Sequence, residues 1–178
     1  VERGNTLMFG VALHTQLDKL ETPKLNDPPR IPVLGSRPGG IPDWSATSGD
    51  IATQTDWHVR RIERRDRELR ITIDDPDAVY LRDREDKAAA VLHRDAPAGV
   101  DRFALAYRQR GVDVIEHVVD RDAWVKQKTE LVPPAERREA VIARPPEREA
   151  LASTQAPLHE PKPPPFSPGL RFRHQQNP

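Results

Sequence analysis

Cysteine is absent from this 178-residue chain. That excludes a disulfide framework, a thiol nucleophile and a cysteine-ligated metal, and it selects no compartment. Aromatic residues are scarce at 5%, which leaves few large side chains to fill a core. No run approaches the roughly 20 apolar residues that a membrane-crossing helix needs. The chain opens on Val1 and Glu2 with no apolar stretch of the secretory type behind them, so no signal peptide is read there. The expectation is a fragment or a processed product of a longer chain. An excess of either charge is also missing, with 28 basic against 28 acidic residues and an isoelectric point near 7.2. A duplex nucleic-acid binder usually carries a strong basic surplus, so no nucleic-acid partner is expected.

What is present is charge and proline. Charged residues make up 31%, hydrophobic residues 36% and mean hydropathy is -0.73, a composition between globular and disordered. The 19 prolines divide the chain: six fall between Pro23 and Pro42, eleven between Pro133 and Pro178, and only Pro76 and Pro97 between those groups. The largest defensible fold is therefore a module of roughly 85 residues over 43–129, a size with a thin stability margin. Around it the reading is a strand segment at 1–20, a Pro-rich linker at 21–42, a charged and Pro-rich linker at 130–168, and the start of another strand at 169–178.

Leu7, Phe9, Val11 and Leu13 alternate with smaller or polar residues, a strand signal. On its own the pattern favours a half-buried soluble strand over one strand of an outer-membrane barrel, which it also fits. Prolines from 23 to 42 favour an extended spacer, with Ile31, Val33 and Leu34 free to lie against a neighbouring domain. Asp43 is placed to cap a short helix carrying Trp44 and Ile51 on one side. Trp57, Val59 and Ile62 open a hairpin, with a bulge where the period breaks between Val59 and Ile62. Arg65-Asp66-Arg67 forms its turn, and Leu69, Ile71 and Ile73 form its second strand. Leu81, Glu85, Ala88, Val91 and Leu92 trace one face of a helix to about Arg94, leaving His93 largely outside that face. Phe103, Leu105 and Tyr107 alternate, Arg110-Gly111 turns, and Val112 to Val119 is a fourth strand. Asp122 is placed to cap a last turn carrying Trp124 and Val125. The fold class is α+β: an α-β-β-α-β-β module with helices packed on a mostly antiparallel four-stranded sheet. Beyond it, Ala135 to Ala140 has charge spacing suited to a transient helix, Pro161 to Pro168 is a stiff spacer, and Leu170 to His174 resembles one more strand.

Six histidines invite a metal or catalytic reading, but the chain has no HExxH, no closely spaced histidine pair and no GxSxG. Glu116 and His117 are adjacent on a strand and so face opposite ways. The histidines read as structural or solvent-facing, and no cofactor or metal is expected. Arg60, Arg61, Arg64, Arg65, Arg67 and Arg70 make the hairpin strongly cationic. An anion-binding face for phosphate or acidic sugars is one reading; Glu63, Asp66 and Glu68 interleave and favour a solvated hairpin face. Trp44, Trp57 and Trp124 could stack on sugar rings, though such residues more often close a thin core.

The ordered landmarks Asp43-Trp44, Ile71-Thr72-Ile73, Tyr80, Ala96-Pro97, Val100-Asp101-Arg102-Phe103, Arg110-Gly111 and Val118-Val119-Asp120-Arg121 before Trp124 resemble the central soluble region of the YjbH-like exopolysaccharide biosynthesis proteins. The resemblance covers about Asp43 to Trp124. It implies an outer-membrane lipoprotein of Gram-negative bacteria, with this region largely periplasmic and barrel segments on either side, ending near Leu13 and restarting near Leu170. The partners it implies are extracellular polysaccharide or export-machinery proteins of the envelope. The expected role is non-catalytic, as scaffold or contact, with Arg60, Arg64, Arg67, Arg70, Trp57 and Trp124 as candidate glycan or anion contacts. The alternatives are part of a glycan-processing enzyme completed by other segments, and a free periplasmic adaptor that binds peptidoglycan or lipid.

Overall fold

The computed structural model describes residues 28–74, 76, 80–146 and 156–161. The strands expected at 7–13 and 170–174 lie outside the described residues. Helix α1 spans Trp44–Thr55, and the Asp43 carboxylate caps it by accepting from the amides of Ser45 and Ala46. Its threonines are accommodated by bonding backwards: Thr47, Thr53 and Thr55 donate to the carbonyls of Asp43, Gly49 and Ile51. Strands β1 (His58–Arg65) and β2 (Glu68–Asp74) form the expected hairpin, with the register shift between Val59 and Arg61. Helix α2 (Leu81–Asp95) then crosses over, so β2 and β3 (Arg102–Gln109) run parallel. A turn with positive φ at both Arg110 and Gly111, the type that suits strand twist, leads into the antiparallel β4 (Val112–Asp120). Helix α3 (Arg121–Thr129) follows. Its cap is Asp120, which accepts from the Ala123 amide, rather than Asp122, which lies inside the first turn.

The architecture is α+β and mostly antiparallel, as expected, but the sheet has a fifth strand. After a 3-10 turn at Pro134–Glu136, β5 (Val141–Arg144) pairs antiparallel with β4, giving the order β1-β2-β3-β4-β5. The charged run at 135–140 forms no α-helix. A four-residue strand ending against Pro145 is too short to show a period, and only the open edge of β4 selects it.

Alternation sorts the sheet into two faces. Val59, Ile62, Leu69, Ile71, Ile73, Phe103, Leu105, Tyr107 and Val119 point inward and pack with Ile51, Ala88, Val91, Leu92 and Trp124 from the helices. The proline-rich segment at 28–42 is extended, but it is docked on the module and does not stand away from it. Ile31 and Val33 pack on the core, and Arg37 donates to the Ala98 carbonyl and to Asp101 and Asp122. Because this strap covers a second side of α2, His93 is buried, contrary to its expected place outside the packed face.

The strap, α2 and α3 meet at Arg121, which is 0% exposed. Its Nε donates to Nδ1 of His93 at 3.0 Å. Its two terminal nitrogens donate to the carbonyls of Pro97, Val100, His93 and Ala96 at 2.8–3.1 Å. All five guanidinium hydrogens are thus used, and the plane lies over the Phe103 ring at 5.5 Å. Two of the acceptors, the carbonyls of His93 and Ala96, stand at the carboxyl end of α2, where helix-end carbonyls lack partners and the dipole favours a cation. Burial lowers the pKa of Arg121 to about 10, which leaves it charged at neutral pH. His93 completes the arrangement by donating from Nε2 to the Leu34 carbonyl at 2.8 Å. Its Nδ1 must therefore stay unprotonated to accept from Arg121.

Two predictions follow from this junction. Replacing Arg121 with Met leaves several buried carbonyls without donors and should lower the unfolding free energy by about 3 kcal/mol or more. Arg121→Lys should recover only part of that, because an ammonium offers three donors. Urea unfolding measures both, and a loss under about 1 kcal/mol for the Met variant would contradict the assignment. His93 gives a pH dependence. Burial, with Arg121 and Arg37 adding to it against the Leu34 hydrogen bond, holds its pKa below the ordinary 6.5. The unfolded chain then binds the proton more readily, so this contribution to stability is complete above 6.5 and is lost as pH falls below it. Melting temperatures of the wild type should decline between pH 7 and 5 more steeply than those of His93→Gln, which keeps an acceptor and a donor but does not titrate. Equal slopes would remove His93 as the cause.

Candidate functional site

The hairpin arginines do not form a free cationic face. Arg60 pairs with Asp74 at 3.4 Å, Arg64 donates to the Asp66 carbonyl at 3.1 Å and Arg67 pairs with Asp101. Arg70 is buried on the outer face of the sheet, bonded to Glu116 at 2.7 Å, to Asp113 at 3.1 Å and to Thr72 at 3.1 Å. Glu116, also fully buried, accepts from Arg144 on β5 at 2.8 Å, and Arg144 reaches Glu68 at 2.8 Å. The structure therefore brings Arg70 into a charge network across the outer face and leaves Arg60, Arg64 and Arg67 in separate local contacts. Asp101, which also receives Arg37, has its pKa lowered to about 2 by the hydrogen bonds from Arg67 and Arg37. Neither candidate indole offers a face to solvent. Trp57 is 1% exposed and packs edge-on against Tyr107 with ring centroids 5.6 Å apart. Trp124 is 2% exposed and donates from Nε1 to Asp86 at 2.9 Å.

The concavity that matters lies elsewhere. A groove of about 560 Å³ runs between α2, α3, the inner side of β4–β5 and the 137–140 connection. Helix position 85 is an inward one, and a carboxylate there requires partners. It has two: the Tyr107 hydroxyl donates to Glu85 Oε1 at 2.8 Å, and Nδ1 of His117 meets the same oxygen. The rings of Tyr107 and His117 stack edge to face at 5.3 Å. Burial, with the neighbouring Glu85 charge second, pushes the Tyr107 phenol far above its ordinary range, so it remains a donor. Strand alternation separates Glu116 and His117 as expected: Glu116 serves the outer network and His117 faces the groove.

The groove wall is positive. Lys128 is paired with Asp86 at 2.6 Å, and Glu85 is occupied by Tyr107 and His117. Arg82, Arg137 and Arg138 line the same groove and make no side-chain ion pair or hydrogen bond among the described residues. Glu139 is the one carboxylate beside them left without such a partner among the described residues. The wall is anchored, since Gln127 on α3 donates to the Arg138 carbonyl and the Asp120 amide donates to the Ala140 carbonyl at 2.8 Å.

A carboxylate joined to an imidazole has the form of an acid/base pair. Among the described residues no cluster of three or more histidines, aspartates or glutamates is arranged to hold a metal. Sequence reasoning did not single out Glu85, Tyr107 and His117 as a group. The available signal was Glu85 standing at a core position of its helix. Arg137 and Arg138 carried no signal, since the wall they belong to exists only once β5 pairs.

The family model YjbH, whose description is exopolysaccharide biosynthesis protein YbjH, matches residues 1–177. No curated protein and no solved structure shows a significant match. The match extends through both flanks of the region whose landmarks carried the resemblance. The chain belongs to the YjbH family of exopolysaccharide biosynthesis proteins.

Proposed function

We propose that this region is a non-catalytic module in exopolysaccharide biosynthesis and export, acting as a scaffold or as a contact for the glycan or for export proteins of the envelope. In this reading the parent chain sits at the outer membrane, and the module lies largely in the periplasm between barrel segments. No helix among the described residues is long and apolar enough to cross a membrane, and a barrel strand would need none.

One observation carries the non-catalytic reading: Glu85, Asp86, His93 and His117, the carboxylates and imidazoles held in and below the groove, are committed to holding the fold together. Glu85 is bonded by Tyr107 and His117, Asp86 by Trp124 and Lys128, and His93 by Arg121 and Leu34. A proton-transfer group is usually poised with a free valence toward substrate and a partner that tunes it, whereas these face one another.

The test is secretion of polysaccharide by the source cell. In-frame deletion of residues 43–144 should abolish it. Glu85→Gln and His117→Gln, which keep hydrogen-bonding atoms while removing the charge and the imidazole, should leave output within about twofold, where loss of a general acid or base costs about 10²-fold or more. Both purified variants should melt as single folded species. Loss of output in a folded Glu85→Gln protein would make the groove catalytic, and unchanged output in the deletion strain would make the module dispensable.

A further inference from the structure

We infer that the groove between α2, α3 and β5 binds an acidic saccharide, through Arg82 on one wall and Arg137 and Arg138 on the other. This rests on the reading of the module as a glycan or partner contact, and it names the site and the class of ligand.

Most of the cations among the described residues are committed to acids. Net charge is zero, and guanidinium groups elsewhere on the described surface are paired: Arg30 with Asp83, Arg37 with Asp101 and Asp122, Arg94 with Asp50 and Asp95, Arg108 with Asp113. Arg82, Arg137 and Arg138 are different, having no partner among the described residues while lining one cavity. Randomly placed surface arginines would not be expected to converge on a single concavity in a protein where acids are as numerous as bases. An unpaired guanidinium keeps its planar fork of donors, which matches a carboxylate or phosphate bidentately. Cations contributed by two different elements of the lining suit a charged chain that lies along the groove, and Glu139 in the same lining disfavours a densely charged anion.

The remaining lining supplies what sugar rings need. Leu81, Val141 and Ala143 give apolar surface, while Asp86 and Gln127 give hydrogen-bonding groups beside it. Small-molecule sites commonly combine an apolar lining with a few placed polar groups and occupy roughly 300–1,000 Å³, a range that includes this groove at about 560 Å³. Three of the four candidate hairpin arginines, by contrast, are paired with carboxylates and Arg64 with a backbone carbonyl, so the anion contact moves from the hairpin to the groove.

Calorimetric titration of the whole chain tests the assignment, with trigalacturonic acid as the acidic probe, galactotriose as its neutral counterpart and inorganic phosphate as the bare anion. Trigalacturonic acid should bind at least about tenfold more tightly than either of the others, and the triple variant Arg82→Gln, Arg137→Gln, Arg138→Gln should weaken it by at least about tenfold. That variant should keep the wild-type melting temperature, because the three side chains hold nothing in the fold. Equal binding of the acidic and neutral trisaccharides, phosphate binding as tightly as trigalacturonic acid, full binding by the triple variant, or no binding at millimolar concentration would each overturn the assignment. None of these results alters the secretion experiment on the deletion and Glu85→Gln strains, so failure of this site and failure of the module's proposed role are separable.

Discussion

A buried guanidinium that is hydrogen-bonded to no carboxylate holds this fold together. Arg121 is taken out of water at a considerable desolvation cost, and five hydrogen bonds and one aromatic face offset it. Those bonds tie the end of α2 to the connection that leads into β3 and to the first residue of α3. His93 passes the link to the strap at Leu34, while Arg37 fastens the same strap to Asp101 and Asp122. The family landmarks Ala96-Pro97, Val100 to Phe103 and Asp120-Arg121 are separated in the chain, yet they converge here. Their order in the sequence reflects a structural junction.

The two faces of the sheet solve the problem of a thin core differently. Helices, aided by the strap, cover the inward face with ordinary apolar packing. The outward face buries Ala104, Ala106 and Thr72 beneath long charged side chains, with Arg70, Arg144, Glu68 and Glu116 laid across it. Long arginine stems can shield apolar surface while their heads are paired. This explains how a chain with 31% charged residues and few aromatics still packs: much of its charge is structural. The groove departs from this rule, and its departure makes it the functional candidate.

Much of the fold was legible in the residues. Period-2 alternation located the four strands of the two hairpins, the break between Val59 and Ile62 marked the bulge, and Asp43 marked the start of α1. The adjacency of Glu116 and His117 correctly placed them on opposite faces. The failures were of another kind. The burial of His93, the wrapping of the strap at 28–42 over α2 and the strand at 141–144 each depend on a partner distant in the chain, whereas the cap of α3 was placed two residues late within a local pattern. The candidate site was less legible still. Trp57 and Trp124 are core residues, Arg60, Arg67 and Arg70 are paired with acids and Arg64 with a backbone carbonyl, and the groove is assembled from α2, β4, α3 and the 137–143 segment.

The sequence by itself determined the local grammar of this protein: where strands alternate, where helices start, where prolines exclude regular structure, and which family the landmarks resemble. Those features arise from backbone sterics and side-chain periodicity, which act over a few residues. Only the tertiary structure decided which charges are structural and which are open. Whether an arginine is paired depends on what stands opposite it, as Glu116 stands opposite Arg70 across 46 positions of chain, and no local pattern encodes that distance.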